Sequence, residues 1–164
     1  MLKLPGKPPS LRFLFSHPAH LIACGFGSGL SPVAPGTAGS AFALLTFPLL
    51  RAWMGEMELL FFLLVCFIAG IPAAGRTARD CGTDDPGCVV WDEIVPLWLV
   101  LVFCPSGWLW QLAAFLLFRF FDIVKPQPAR FFDENVKNGF GIMADDLFAG
   151  LYTFLALQIP RFFS

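Results

Sequence analysis

The sequence predicts an all-α fold, a small polytopic bundle of membrane helices, and three observations carry that expectation. The 164 residues are 57% hydrophobic and only 14% charged, with a mean hydropathy of +0.70, whereas soluble domains carry about 25% charged residues. The charges are missing in blocks. None falls in the 38 positions between Arg12 and Arg51, the 17 between Glu58 and Arg76, the 25 between Glu93 and Arg119, or the 14 between Asp146 and Arg161. What polarity remains is concentrated, because ten of the twelve Asp and Glu lie within 80–93 and 119–146. The same arithmetic excludes other classes. A net charge of -1 with no basic block offers nothing to a nucleic-acid backbone. Five cysteines, odd in number and without a CxxC pair, read as reduced packing residues. The length sets one domain, 1–164, with residues 1–20 as an N-terminal cytoplasmic tail. His17, Pro18 and His20 interrupt the apolar core that a signal peptide there would need.

Each uncharged block is a candidate span, for which about 20 apolar residues are needed. The first helix is placed at about Gly39 to Trp53, short and bent by Pro48, and the second from Leu59 to about Ala74. The 25-residue block is long enough for one span, but Pro105-Ser106-Gly107 at its centre are turn residues, so it reads as a hairpin of two helices. Asp145 and Asp146 open the last apolar segment, Leu147 to about Pro160. The total is about four or five short transmembrane helices. A hairpin also puts Lys3, Lys7, Arg12, Arg76, Arg79, Arg119, Lys125, Arg130 and Lys137 on one face, against Arg51 and Arg161 on the other, which makes the first face cytoplasmic. Counted from Ser106, Asp92 and Asp122 stand nearly level in an antiparallel pair, so Asp92, Glu93 and Asp122 meet at the cytoplasmic surface.

Three polar stretches carry the chemistry. The glycine-rich run Gly25 to Ser40 can turn backbone N–H groups toward an anion, with Gly27, Ser28 and Gly36 in the loop and Thr37 as cap of the following helix. It serves equally well as a loop that only needs backbone freedom to start a helix. The stretches 76–93 and 119–146 bring carboxylates together, and crowded carboxylates need a cation, nearby Lys and Arg, or protons. Oxygen ligands without histidine point to Mg²⁺ or Mn²⁺ over Zn²⁺. The competing account makes Asp92, Asp145 and Asp146 mere helix N-terminal charges. That account fits Asp145 well and Asp122 poorly, since Asp122 lies near a helix C-terminus. Lys125, just past that helix end, is placed to bind a phosphate beside the metal, with a headgroup-facing anchor as the alternative. No Cys-x5-Arg loop and no Asp-x-Asp-x-Thr/Val occurs, and Trp108 stands where Pro-Ser-Gly-His would need its histidine. His17 and His20 are assigned to the N-terminal surface.

Four segments, GFGSGLSPVAPGTAGS (25–40), VVWDE (89–93), RFFDIVKPQPAR (119–130) and GFGIMADDLFAG (139–150), resemble in sequence and order the phosphatidylglycerophosphatase A family of bacterial membrane enzymes, over about residues 20–157. The resemblance implies a Mg²⁺-dependent lipid phosphatase of the bacterial inner membrane that converts phosphatidylglycerophosphate to phosphatidylglycerol, a cardiolipin precursor; no protein partner is inferred. Thr37, Asp80, Asp92, Glu93, Asp122, Lys125, Asp145 and Asp146 match its motif positions. On this reading Asp80, Asp92, Glu93, Asp122, Asp145 and Asp146 bind metal. Asp92, Glu93, Asp122, Lys125 and Asp146 are catalytic, while Gly27, Ser28, Gly36, Thr37, Arg119 and Lys125 bind the substrate. Pro96 and Asn138 stand where the family pattern commonly has glycine. Direct attack by an activated water follows as the expected mechanism. A cation or proton transporter is the competing class, but the four uncharged blocks hold no ionisable residue at intermediate depth. An inactive anionic-lipid-binding protein is the third.

Overall fold

The computed structural model describes residues 10–159; Lys3, Lys7 and Arg161, used above to orient the chain, lie outside them. All the regular secondary structure among the described residues is helical, with no strand. Two short helices, α1 (Leu11–Leu14) and α2 (Pro18–Ala23), lead through a 3₁₀ segment (Gly25–Leu30) into α3 (Pro35–Trp53) and α4 (Glu56–Cys81). The hairpin follows as α5 (Trp91–Phe103) and α6 (Trp108–Val124), joined through Cys104–Gly107, and then α7 (Ala129–Asn135) and α8 (Gly139–Gln158).

The turn at Pro105-Ser106-Gly107 is where the residue types place it, with Gly107 at φ 123°, a conformation that side chains disfavour. The other boundaries shift. Helix α3 begins at Pro35, whose fixed φ suits the first helical position, so it starts earlier than Gly39. Helix α4 runs on to Cys81 and is closed by Gly82 in the left-handed conformation, which carries Arg76, Arg79 and Asp80 on helix rather than loop. Helix α8 starts at Gly139 because Asn138 caps it, its side-chain oxygen accepting from Phe140 N and Gly141 N at 3.0 Å each. Asp145 and Asp146 therefore stand nearly two turns inside the helix and do not mark its start. The residues from 11 to 23 are also no free tail, since α2 packs on α4.

Helices α5 and α8 form the centre. Ten of the thirteen residues of α5 are buried, and α8 packs against α4, α5, α6 and α7. The Trp91 indole donates to Cys66 O and the Trp98 indole to Ala43 O, both at 3.0 Å, which ties α5 to α4 and α3. Each such buried bond contributes about 1 kcal/mol. Outward, apolar side chains face away from the protein on four helices: Leu45 and Leu49 on α3, Phe61 and Ile68 on α4, Leu112 and Leu116 on α6, Leu151 and Leu155 on α8. An apolar belt of that extent marks a lipid-facing surface. Among the described residues α4 and α8 are the two helices both long and apolar enough to cross a membrane. The 13 residues of α5 reach only about 20 Å, short of a ~30 Å hydrocarbon core.

Candidate active site

The polar ends of the long helices converge on one cavity of about 590 Å³. Its walls come from the start of α3 (Pro35, Gly36), the start of α5 (Asp92, Glu93), the end of α6 (Arg119, Asp122), Lys125 and the first turns of α8 (Asp145, Asp146). Helices separated widely in sequence thus each supply a carboxylate or cation at one level, as the hairpin register requires. Two sets of ligand atoms lie within 4.8 Å of one another: Asp92, Asp145 and Asp146 in one, Glu93, Asp122 and Asp146 in the other. Asp146 belongs to both.

Two cations stand against these five acids. Arg119 Nη1 lies 2.9 Å from Glu93 Oε1 and 2.6 Å from Asp122 Oδ2. Lys125 donates to Asp133 Oδ1 at 3.1 Å and to Asp145 Oδ2. It occupies the αL position that ends α6, at φ 46°, a conformation costly for a side-chain-bearing residue; the two carboxylates hold it there. Burial alone would depress the Lys125 ammonium, but Asp146 and Asp145 outweigh it and push its pKa above the ordinary lysine value. Asp92, Asp122, Asp145 and Asp146 are all buried. Asp92 Oδ1 and Glu93 Oε2 are buried without any hydrogen-bond partner. Burying charged oxygens without partners is expensive. Two triads of hard oxygen donors, surplus negative charge and orphaned oxygens fit a divalent cation such as Mg²⁺.

Gly36 shows how closely the first loop approaches. A Cβ on it would lie 2.0 Å from Glu93 Oε1, so only glycine lets the start of α3 pass over that carboxylate. The rest of the glycine-rich run does something else. Gly27 and Ser28 do not line the cavity, and the Ser28 hydroxyl donates to Gly25 O. Gly25 and Gly29 pack closely on Val90 and on the Cys88 carbonyl, so this part of the run is a packing element seated on the segment before α5. Thr37 is not the cap of α3; Ala34 holds that position without a side-chain bond, and Thr37 is exposed in the first turn.

Asp80 also departs from expectation. Its carboxylate accepts from Arg76 Nε at 2.7 Å and lies 3.2 Å from His20 Nε2, outside both triads. The extension of α4 carries it toward α2, away from the cavity. His20 is buried rather than on the surface, 2.9 Å from Thr77 Oγ1 and stacked on Phe13. Burial lowers its pKa, and Asp80 only partly offsets that. Asp133, which holds Lys125, was not singled out by spacing; its position on the seven-residue α7 follows no periodic signal. Asp84 and Asp85 line the cavity as well.

Residues 21–161 match the family described as Phosphatidylglycerophosphatase A. A Haemophilus influenzae protein named Phosphatidylglycerophosphatase A is 45% identical over 150 residues, covering 91% of this chain and 92% of its own. One of the same name from Escherichia coli strain K12 is 43% identical over 142 residues, covering 85% and 81%. A Bacteroides thetaiotaomicron protein, 45% identical over 148 residues (86% and 92%), carries the provisional name of a phosphatidylinositol-3-phosphatase. No solved structure matches the chain at a significant level. An all-helical, lipid-facing body with a buried acidic cavity at one end is here a membrane-associated phosphoric monoester hydrolase. Within that class, the chain belongs to the phosphatidylglycerophosphatase A family.

Proposed function

We propose that the enzyme removes the terminal phosphate of phosphatidylglycerophosphate, releasing phosphatidylglycerol for phospholipid synthesis, with a Mg²⁺-dependent site on the cytoplasmic face of a bacterial inner membrane. The convergence of five carboxylates with Lys125 and Arg119 in one cavity at the polar end of an apolar body carries the reading. The lipid tails stay alongside the exposed aliphatic residues of the bundle while the headgroup reaches the cavity. Helices α3, α4, α5, α6 and α8 run alternately toward and away from that end, which supports a multi-pass arrangement with the short, largely buried α5 shielded by the others.

The residues divide the work. Asp92, Asp145 and Asp146, and Glu93, Asp122 and Asp146, are the two ligand sets for divalent cations. Such a cation, when bound, supplies Lewis acidity at the phosphoryl oxygens and lowers the pKa of a water. Lys125 holds the nonbridging phosphate oxygens, which carry most of the charge during transfer. Arg119, paired with both Glu93 and Asp122, holds the two carboxylates in place. Glu93, its Oε1 held by Arg119, orients the attacking water in line with the P–O bond to glycerol. That bond breaks, giving inorganic phosphate and an alcohol.

The test is phosphate release by the purified protein from phosphatidylglycerophosphate in detergent micelles, with Mg²⁺ and with excess EDTA, beside phosphatidylinositol 3-phosphate. Metal-dependent release from the first lipid is expected. Release unaffected by EDTA, or preference for the inositol lipid, overturns the reading.

A further inference from the structure

The exposed apolar residues of α6 follow the helical period. Leu109, Leu112, Leu116, Phe120 and Ile123 recur at every third or fourth position and so form one stripe along the helix. The stripe covers about 21 Å of helix, more than the ~15 Å that one leaflet contributes to the hydrocarbon core. Its last member belongs to the active site. Ile123 is 73% exposed and yet lines the acidic cavity beside Arg119 and Asp122. Ala34, at the entry to α3, is exposed and lines the cavity too. Among the described residues these two are the exposed apolar side chains of the cavity wall. The other sides are closed to lipid. Between α6 and α8 the rings of Phe121 and Tyr152 pack with centroids 5.6 Å apart, and the Tyr152 hydroxyl donates to Gln127 O. Lys125 reaches from there to Asp133 on α7 and Asp145 on α8. Toward the end of α4 the wall is charged and exposed, with Asp84 and Lys137 shared with a smaller polar cavity, so that side meets water.

We propose that the lipid substrate enters the cavity sideways from the bilayer, between the start of α3 and the end of α6, with its headgroup inside and its acyl chains lying along the α6 stripe. Ile123 is then the positioning residue where headgroup gives way to tail. This inference rests on the reading of the substrate as phosphatidylglycerophosphate. A chain-bearing substrate needs such an opening. Passing acyl chains between α6 and α8 would break the ion pairs of Lys125 and strand buried charges, and passing them over Asp84 and Lys137 would expose methylenes to water. The edge formed by Ala34 and Ile123 costs neither. It also gives the site a preference, because a water-soluble phosphomonoester gains nothing from the stripe while a lipid keeps its chains in hydrocarbon throughout the reaction.

The test compares wild type with Leu116→Ser/Ile123→Ser, with Ile123→Ser alone, and with Leu151→Ser/Leu155→Ser on the exposed face of α8. Phosphate release is measured from long-chain phosphatidylglycerophosphate in neutral detergent micelles, and the deacylated headgroup of the same lipid is titrated as a competitor. All four side chains are exposed, and a helical circular dichroism spectrum checks the fold. The α6 double variant is expected to raise KM for the lipid about tenfold, more than any change in kcat, the scale of apolar contact withdrawn from a chain. Ile123→Ser gives part of that rise, and the headgroup inhibits every variant at the wild-type concentration. An unchanged KM, a fall in kcat alone, or an equal loss in the α8 variant overturns the proposal. Weaker inhibition by the headgroup, in step with the rise in KM, means that the cavity itself is disturbed and also overturns it. Wild-type protein that releases no phosphate from this lipid refutes the substrate reading itself, and this inference with it.

Discussion

Replacing Gly36 by Ala isolates the geometry of the site from its stability. The added Cβ would lie 2.0 Å from Glu93 Oε1 and 2.8 Å from Cδ and Oε2. The carboxylate has to retreat by more than about 1 Å to reach an ordinary contact. Its partner Arg119, held between Glu93 and Asp122, cannot follow without leaving Asp122. A shift of about 1 Å in a reacting or orienting group costs about 10²-fold in rate, equivalent to about 2.7 kcal/mol of transition-state stabilisation. The fold is spared for two reasons. The obstructing atoms end a flexible side chain, and Ala in a helix is favoured over Gly by roughly 1 kcal/mol. Steady-state phosphate release and thermal unfolding in detergent, measured on the same preparation, decide the matter: kcat/KM falls about 10²-fold while the melting temperature holds or rises. Wild-type kcat/KM in folded Gly36→Ala protein refutes the placement of Glu93 at the reaction centre.

Four further outcomes follow from the same geometry. Asp92→Asn and Asp146→Asn each abolish phosphate release while the protein still fractionates with membranes, as measured by release assays and membrane flotation. Asp80→Asn keeps metal-dependent turnover, because its carboxylate serves Arg76 and His20; loss of turnover equal to that of Asp92→Asn would return Asp80 to the metal site. Gly139→Ala meets the backbone of α4 at Ile71 O, which cannot rotate away, and lowers unfolding stability by about 1–3 kcal/mol. Asn138→Ala removes the two bonds that start α8 and costs about 1 kcal/mol by the same measurement.

The reach of the sequence is clearest where a register is set by covalent geometry. The turn at 105–107 fixes the relative height of Asp92 and Asp122, so their meeting could be counted residue by residue. The start of α8 was misplaced because Asp145 and Asp146 resemble first-turn charges; Asn138, read as a tolerated departure, is the cap that moves the start six residues upstream. The capping account of Asp145 therefore fails. Asp80 failed for a related reason. Its distance along the chain from Asp92 is short, but α4 continues straight through it and turns it toward His20, a pairing set by how α2 packs on α4 and carried by no local pattern. In the glycine-rich run, composition could not separate glycines that admit a ligand from those that admit a neighbouring backbone. Gly36 faces Glu93, whereas Gly29 faces the carbonyl of Cys88.

Pro96 lies in the second turn of α5, where it has no N–H to give to the carbonyl of Asp92. A Cβ on Gly150 would lie 3.3 Å from the Pro96 Cβ. A ring on one helix and a bare backbone on the other thus set how near α5 and α8 come, one turn below Asp92 on α5 and one turn below Asp146 on α8. The pair acts as a fulcrum. A bulkier residue at 150 would pry the helices apart and widen the gap between their carboxylates, so these two positions, remote in the chain and silent in the chemistry, are free to change only together.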